Sequence, residues 1–212
     1  MSLPRHLDHE YRAVRLAHLR ELAARGLTPF GRAFARDGRL AEVRAAFHEG
    51  RTVRIAGRLV TRRDMGKVVF GHLQDVTGRL QIYLRRDDLG EASFDAFSLV
   101  DLGDHLGIEG ECFTTRTGEP TVRARSWTLL GKSLQVPPEK WHGLQDVELR
   151  YRKRYLDLIA RPEVAQVFRL RSEVIRRTRQ FLTERGFMEV ETPMLQPLAG
   201  GAAARPFETF YH

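Results

Sequence analysis

Residues 51–85 read RTVRIAGRLVTRRDMGKVVFGHLQDVTGRLQIYLR, and their alternation in twos decides the fold. Val53, Ile55, Gly57 and Leu59 share one parity, and Arg54, Ala56 and Arg58 the other. After a break at Asp64, Met65 and Gly66, Val69, Gly71 and Leu73 alternate with Val68, Phe70, His72 and Gln74. After Thr77 and Gly78, Leu80, Ile82 and Leu84 alternate with Gln81, Tyr83 and Arg85. Successive side chains of a strand leave on opposite sides, so period two predicts three half-buried strands joined by tight turns. With Val69, Leu73, Leu80 and Ile82 in the core, Phe70, His72, Gln81, Tyr83 and Arg85 share the open face. Rings, amides and guanidinium groups on an exposed sheet offer unpaired bases a surface to stack on and be read by. The same two rings also fit ordinary cross-strand partners on a solvated sheet, and these residues alone leave both readings open.

Working outward, residues 7–25 lack Gly and Pro and predict a basic amphipathic helix ended by Gly26 and Pro29. Tyr11, Val14, Leu19 and Leu22 form its expected apolar stripe, with Arg12, Arg15, Arg20 and Arg25 mostly outside it; the helix is expected to pack on the next domain. A short helix comes after Gly38, with Leu40, Val43 and Phe47 inward. Beyond the three strands, residues 89–99 read as a helix and residues 104–113 as a fourth strand with Leu106, Ile108 and Cys112 inward. The turn Thr117, Gly118, Glu119, Pro120 leads into a fifth strand over residues 121–130. Three strands, a helix and two more strands is the order of an OB-fold, a small Greek-key barrel that commonly binds oligonucleotides.

Composition narrows the partners. The formal net charge of +8 is spread along the chain rather than gathered in a tail, which points to a polyanion and away from a disordered basic arm. Hydrophobic residues make up 42%, enough for real cores in one or two domains. No apolar run reaches membrane-span length, and no short apolar run comes after a basic start as in a signal peptide. The single cysteine, Cys112, excludes an internal disulfide framework and fits a reducing cytoplasm; its parity marks it as a small buried hydrophobe. No metal-ligand spacing of Cys and His is present, and no Gly-rich phosphate loop.

Residues 132–146 carry Pro137 and Pro138 without periodicity and read as a linker. LRYRKRYLDLIA then predicts a helix with Leu149, Tyr155, Leu158 and Ile159 roughly on one side and its arginines on a solvated face. Pro162 and Glu163 suit a helix start. The helix over residues 162–185 has a wide apolar surface of Val164, Val167, Phe168, Val174, Ile175, Phe181 and Leu182, as expected of a helix covered on two sides. Gly186 ends it, and an extended segment runs from Phe187 towards Gly200, Gly201 and Ala202.

The long helix with Gly186, Phe187, Met188, Glu189, Val190, Glu191, Thr192 and Pro193 resembles motif 1 of class II aminoacyl-tRNA synthetases. An OB-fold ahead of it resembles the subclass (IIb) that charges lysine, aspartate and asparagine. PEKWHGLQDVELRYRKRYLDLIA, FMEVETPMLQPLAGGAAARPF, TRRDMGK and the LQD of residues 73–75 resemble the lysine-charging family in particular. The resemblance implies an amino-terminal helical extension over residues 1–50, an anticodon-binding barrel over 51–132 and a linker over 133–146. The start of an α+β catalytic domain, incomplete beyond motif 1, would occupy 147–212. It implies that Phe70 stacks an anticodon base, that Gln81 reads the central uridine edge, and that Arg62 or Arg63 and Glu119 make further anticodon contacts. Gly200, Gly201 and Ala202 correspond to a loop closing over the lysine substrate, where small side chains let backbone approach a ligand. Phe187 and Pro193 belong to a dimer interface, so a homodimer through motif 1 is implied.

The same resemblance implies tRNA, lysine and ATP as partners, Mg²⁺ as a cofactor of the full-length enzyme, and a cytoplasmic location with no membrane association. The ATP-binding motifs and later carboxylates of the class lie downstream of anything in these residues. The 212-residue chain alone is therefore expected to bind tRNA without making an adenylate, with no catalytic residue and no cofactor of its own. The part after about residue 147 is expected to be sticky, partly disordered or dependent on dimerisation. Two other readings of the residues stay open: a non-catalytic RNA-binding OB-fold protein or truncated paralogue, and a subunit that pairs through the motif 1 helix.

Overall fold

The computed structural model describes residues 5–31, 33–137, 144–193 and 209–210. The chain divides into two units, Met1–Arg161 and Pro162–His212.

The first unit is built on a closed five-stranded barrel in the order β1-β2-β3-β5-β4. Its strands are β1 (Thr52–Met65), β2 (Val68–Gln74), β3 (Arg79–Arg85), β4 (His105–Thr114) and β5 (Pro120–Gly131). The alternation in the sequence is the alternation in space. Val53, Ile55, Leu59, Val69, Leu73, Leu80, Ile82 and Leu84 are buried, together with Leu106, Ile108, Val122, Ala124 and Leu129 from the last two strands. Cys112 is buried among them, and burial pushes its thiol above the usual range, so it packs as an inert small hydrophobe.

β1 is long enough to serve two neighbours. Residues 52–58 pair with β4, and residues 58–65 pair with β2. A bulge between Leu59 and Thr61 accommodates the change of partner and inverts the parity of the rest of the strand. Before it, odd-numbered residues face the core; after it, Arg62 sits opposite the buried Gly71 while Thr61 and Arg63 face outward across from His72 and Phe70. The barrel closes through the one parallel pairing, β3 with β5, which sets Gln81 beside Thr121 and Tyr83 beside Arg123. Gly66 takes φ +66° in the β1–β2 turn, a left-handed conformation that glycine adopts without a steric penalty.

Helices cap the barrel. α2 (Leu40–Ala45) buries Leu40 and Val43, and its first N–H groups are held by Asp75 and Thr77 of the β2–β3 turn. The predicted 89–99 helix is α4 (Glu91–Phe97), and Gly90 at φ +78°, outside the helical region, separates it from a short α3 (Arg86–Leu89) that the sequence reading did not include. Phe97 packs edge-on against Trp127, whose indole N–H donates to Ser93.

α1 (Arg5–Ala24) forms as expected and packs on the barrel, but not by the expected stripe. Leu22 is fully buried, whereas Tyr11 and Val14 are about half exposed. Arg15, assigned to the outer face from the sequence, is buried and donates to the carbonyls of Ser133 (2.9 Å) and Gln135 (3.2 Å). The charged head finds backbone acceptors that a periodicity argument cannot register. Nearby His18 contacts Asp101 at 3.0 Å, and Asp101 shares the buried Lys132 ammonium with Asp104.

The helix predicted from LRYRKRYLDLIA is likewise two helices, α5 (Val147–Arg152) and α6 (Arg154–Ala160), broken at Lys153. Its arginines are not simply a solvated face. Arg150, Arg154 and Arg161 converge on Asp157, which is fully buried. A buried carboxylate is tolerated when such donors neutralise it.

In the second unit, α7 (Pro162–Thr183) gives way to a turn that closes at Gly186, and it buries none of its side chains among the described residues. Val167, Phe168, Val174, Phe181 and Leu182 are all exposed. The apolar surface anticipated as covered on two sides is therefore open in the described chain. No helix among the described residues is long and apolar enough to cross a membrane.

Candidate nucleic-acid interface

The open face of β2 and β3 carries the aromatic cluster that the alternation anticipated. Phe70 and Tyr83 are directly opposite across the two strands, with ring centroids 4.9 Å apart and planes tilted by 51°. Phe113, from β4, meets Tyr83 edge-on at 5.6 Å. The three half-buried rings form the floor of an open depression of about 850 Å³. Its walls carry Arg62, Arg63, Gln81 and Glu119, with Arg116 beside them, so these four and Phe70, the five barrel residues singled out from the sequence, meet at one place. Gly71 makes the close approach of β1 and β2 beneath them feasible. A Cβ there would lie 2.9 Å from the Thr61 carbonyl oxygen and 3.0 Å from Leu59 Cδ1.

The polar part of the depression is a continuous chain of hydrogen bonds. Thr61 Oγ1 and His72 Nδ1 are 2.7 Å apart, and His72 Nε2 is 2.8 Å from Glu119 Oε1. The second carboxylate oxygen of Glu119 accepts from Gln81 Nε2 at 2.7 Å. Gln81 Oε1 in turn accepts from Thr121 Oγ1 at 2.7 Å. A primary amide has two N–H donors and two carbonyl lone pairs, so Gln81 retains one of each for a ligand. That remaining pair suits a base edge offering a donor beside an acceptor.

The two arginines left unresolved by parity have different environments. Arg62 makes a bidentate pair with Asp64 and donates to the carbonyls of Phe97 and Ser98 at 3.3 Å, and to Val100. Its guanidinium lies 5.4 Å from the Phe97 ring centre. Arg62 therefore ties β1 to the end of α4, where unsatisfied helix carbonyls attract a cation. Arg63 is exposed and, among the described residues, makes no side-chain hydrogen bond or ion pair. Arg116 on the opposite rim is exposed in the same way. Arg123, by contrast, is engaged by Asp88, whose carboxyl is held below the usual range by that hydrogen bond.

Sequence reading passed over Phe113, Thr61 and Thr121. The parity that turned Cys112 inward also turned Phe113 outward and could have found it. Thr121 could not have been found so, because only the parallel β3–β5 closure brings it to Gln81. Phe187 and Pro193 belong to the second unit, where both are exposed. Gly200, Gly201 and Ala202 lie outside the described residues. Among the described residues no group of three or more His, Cys, Asp or Glu is placed to hold a metal ion.

Comparison with known proteins agrees with this geometry. Residues 53–130 match the OB-fold nucleic acid binding domain family, and residues 146–212 match the tRNA synthetases class II (D, K and N). The chain is 50% identical over 205 residues to a lysine–tRNA ligase of Syntrophomonas wolfei, covering 96% of this chain and 42% of that protein. It is 51% identical over 206 residues to one of Pelotomaculum thermopropionicum, covering 96% and 41%. With the corresponding protein of Carboxydothermus hydrogenoformans it shares 49% over 201 residues, covering 94% and 41%. The chain thus spans about 42% of the length of the curated relatives it matches.

Proposed function

We propose, from the premise that the chain belongs to the class II tRNA synthetases of the D, K and N group, that it is the anticodon-reading part of a lysine–tRNA ligase. The whole protein would attach lysine to its tRNA with ATP and Mg²⁺ in the cytoplasm. Within it, the described residues act as RNA-binding and pairing machinery.

The observation that carries this reading is the outward ring of Phe70 set one strand away from the outward amide of Gln81, in a depression rimmed by Arg63 and Arg116. An unpaired base has a face to stack and an edge to hydrogen-bond, and an anticodon loop presents both. Phe70 stacks the base, Gln81 reads its edge, and Glu119 shapes the edge-reading group. Uridine offers N3–H as donor and O4 as acceptor, which the free Oε1 lone pair and free Nε2–H of Gln81 match. Arg63 contributes charge towards the phosphates, whereas the bonds of Arg62 favour a supporting role. In the second unit, the exposed apolar face of α7 with Phe187 and Pro193 pairs with a second copy of the chain. Gly200, Gly201 and Ala202 serve the lysine substrate.

The test is binding of an anticodon stem-loop with uridine at its centre against one with cytidine there, at fixed salt. The uridine loop binds more tightly, and Phe70→Ala weakens it by about 1–3 kcal/mol. Equal affinities for the two loops would leave only nonspecific charge attraction, since falling affinity with salt is expected in either case.

A further inference from the structure

The hydrogen-bond chain beneath Gln81 goes further than holding a side chain in place. A glutamine amide is nearly symmetric in shape, and turning it by 180° about its last bond exchanges donor and acceptor. As oriented, it complements uridine. Turned over, it would present its donor and acceptor to N3 and N4–H of cytidine equally well. Gln81 can therefore discriminate between the two pyrimidines only if something forbids the turn.

We infer that Glu119, itself held by His72 and Thr61, is the specificity-determining residue that fixes the orientation of the Gln81 amide. The inference rests on the reading of Gln81 as the group that meets the base edge. A carboxylate has no donor, so the group facing Glu119 Oε2 at 2.7 Å must be the amide nitrogen. Turning the amide would set its carbonyl oxygen against the carboxylate, exchanging a charge-assisted bond for repulsion. Thr121 cannot impose this alone. Its hydroxyl lies 2.7 Å from Gln81 Oε1 and 3.0 Å from the Glu119 carbonyl oxygen. It could donate to the latter and accept from a turned amide.

The carboxylate is in turn immobilised from its other side. A carboxylate only accepts, so His72 Nε2–H donates to Glu119 Oε1 at 2.8 Å, while Nδ1 on the other side of the ring is held 2.7 Å from Thr61 Oγ1. Both oxygens are then occupied, and the carboxylate plane is fixed relative to β2 and β3. Three side chains, from β1, β2 and the end of the β4–β5 turn, thus act on one rotatable bond of the β3 glutamine. Glu119 and His72 are positioning residues here, since neither needs to touch the base.

The experiment compares Glu119→Gln with the unaltered chain, using stem-loops that carry uridine or cytidine at the central position. A glutamine at 119 can present either oxygen or nitrogen, so it no longer dictates which way Gln81 faces. A change common to both loops, from the lost charge, cancels in the ratio of their affinities. Cytidine affinity rises, and the uridine-to-cytidine ratio falls by about tenfold or more, the value of one well-formed base contact. His72→Phe gives a smaller fall in the same ratio. An unchanged ratio in Glu119→Gln overturns the orientation role while leaving the reading of Gln81 intact. Absence of discrimination in the unaltered chain overturns that reading instead.

Should Glu119→Gln fail to fold, the unaltered chain answers by NMR. The two amide protons of Gln81 resonate far apart and exchange slowly, one of them facing a carboxylate. Those of Gln74, whose amide among the described residues is held through its oxygen by Arg79, keep the smaller separation and faster solvent exchange of an ordinary primary amide. Similar behaviour of the two amides would overturn the inference.

Discussion

Neighbouring arginines show how much chemistry a single position can hide. Arg62 and Arg63 are adjacent and identical in type, yet one reaches the carbonyls at the end of α4 and the other faces Phe70 across the strand pair. Truncating Arg62 removes hydrogen bonds from a charged donor to backbone groups that have few other partners. Arg62→Ala is expected to lower barrel stability by about 1.5–3 kcal/mol. Arg63→Ala is expected to leave the denaturation midpoint unchanged and to weaken stem-loop binding equally for all loop sequences. It should also reduce the slope of log affinity against log salt by about 1. Chemical denaturation and a salt titration of each variant check the pair. The opposite assignment, with Arg63 lowering stability and Arg62 lowering affinity, would mean the bulge at Leu59–Thr61 is misplaced.

At the scale of elements, the junction of α1 with the barrel is held by charge as much as by the buried Leu22. Burial alone would raise the Asp101 carboxyl. The hydrogen bonds and charge of Lys132, with help from His18 and Arg15, outweigh it and hold the group below its ordinary value. The unfolded chain then binds more protons than the folded one between the two values, so stability rises with pH through that window. The contribution of Asp101 is complete above about pH 4–5 and is lost as pH falls through its depressed folded-state value. Asp101→Asn is expected to remove about 1.5–3 kcal/mol at pH 7. It should also flatten the acid limb of stability against pH, measured by urea unfolding at a series of pH values. An unchanged acid limb would assign the acid sensitivity of the barrel to its other carboxylates. Of these, Asp88 and Asp75 are also depressed, the first chiefly by the Arg123 hydrogen bond. At Asp75 the opposing effect of burial is outweighed by bonds from Thr77, Leu40 and Gly78.

Across the whole molecule, the residue order revealed whatever alternation can encode. Half-buried strands write their two faces into successive residues, so the barrel, its core and the outward set of Phe70, Gln81 and Tyr83 were readable. Long-range closure is not written locally, and the Thr121–Gln81 contact depends on a parallel pairing of strands some 40 positions apart in the chain. Charged groups with internal partners were misplaced for a related reason. Arg15 goes to backbone carbonyls far along the chain rather than to the solvated face, and the arginines around Asp157 go to a buried carboxylate within their own stretch, whose burial the apolar stripe does not mark. Local breaks at Gly90 and Lys153 shortened helices that periodicity would have continued. Anticodon reading by this chain requires the outward face of β2 and β3 to hold one unpaired nucleotide between Phe70 and Gln81. The most direct measurement is a set of intermolecular NOEs in a complex of this chain with an isotopically labelled stem-loop of central uridine. Contacts from the Phe70 ring to H5 and H6 of that uridine, with a shift of the free Gln81 amide proton, are the predicted result. NOEs from the central uridine only to residues outside the β2–β3 face, with the Phe70 and Gln81 resonances unmoved, would contradict it.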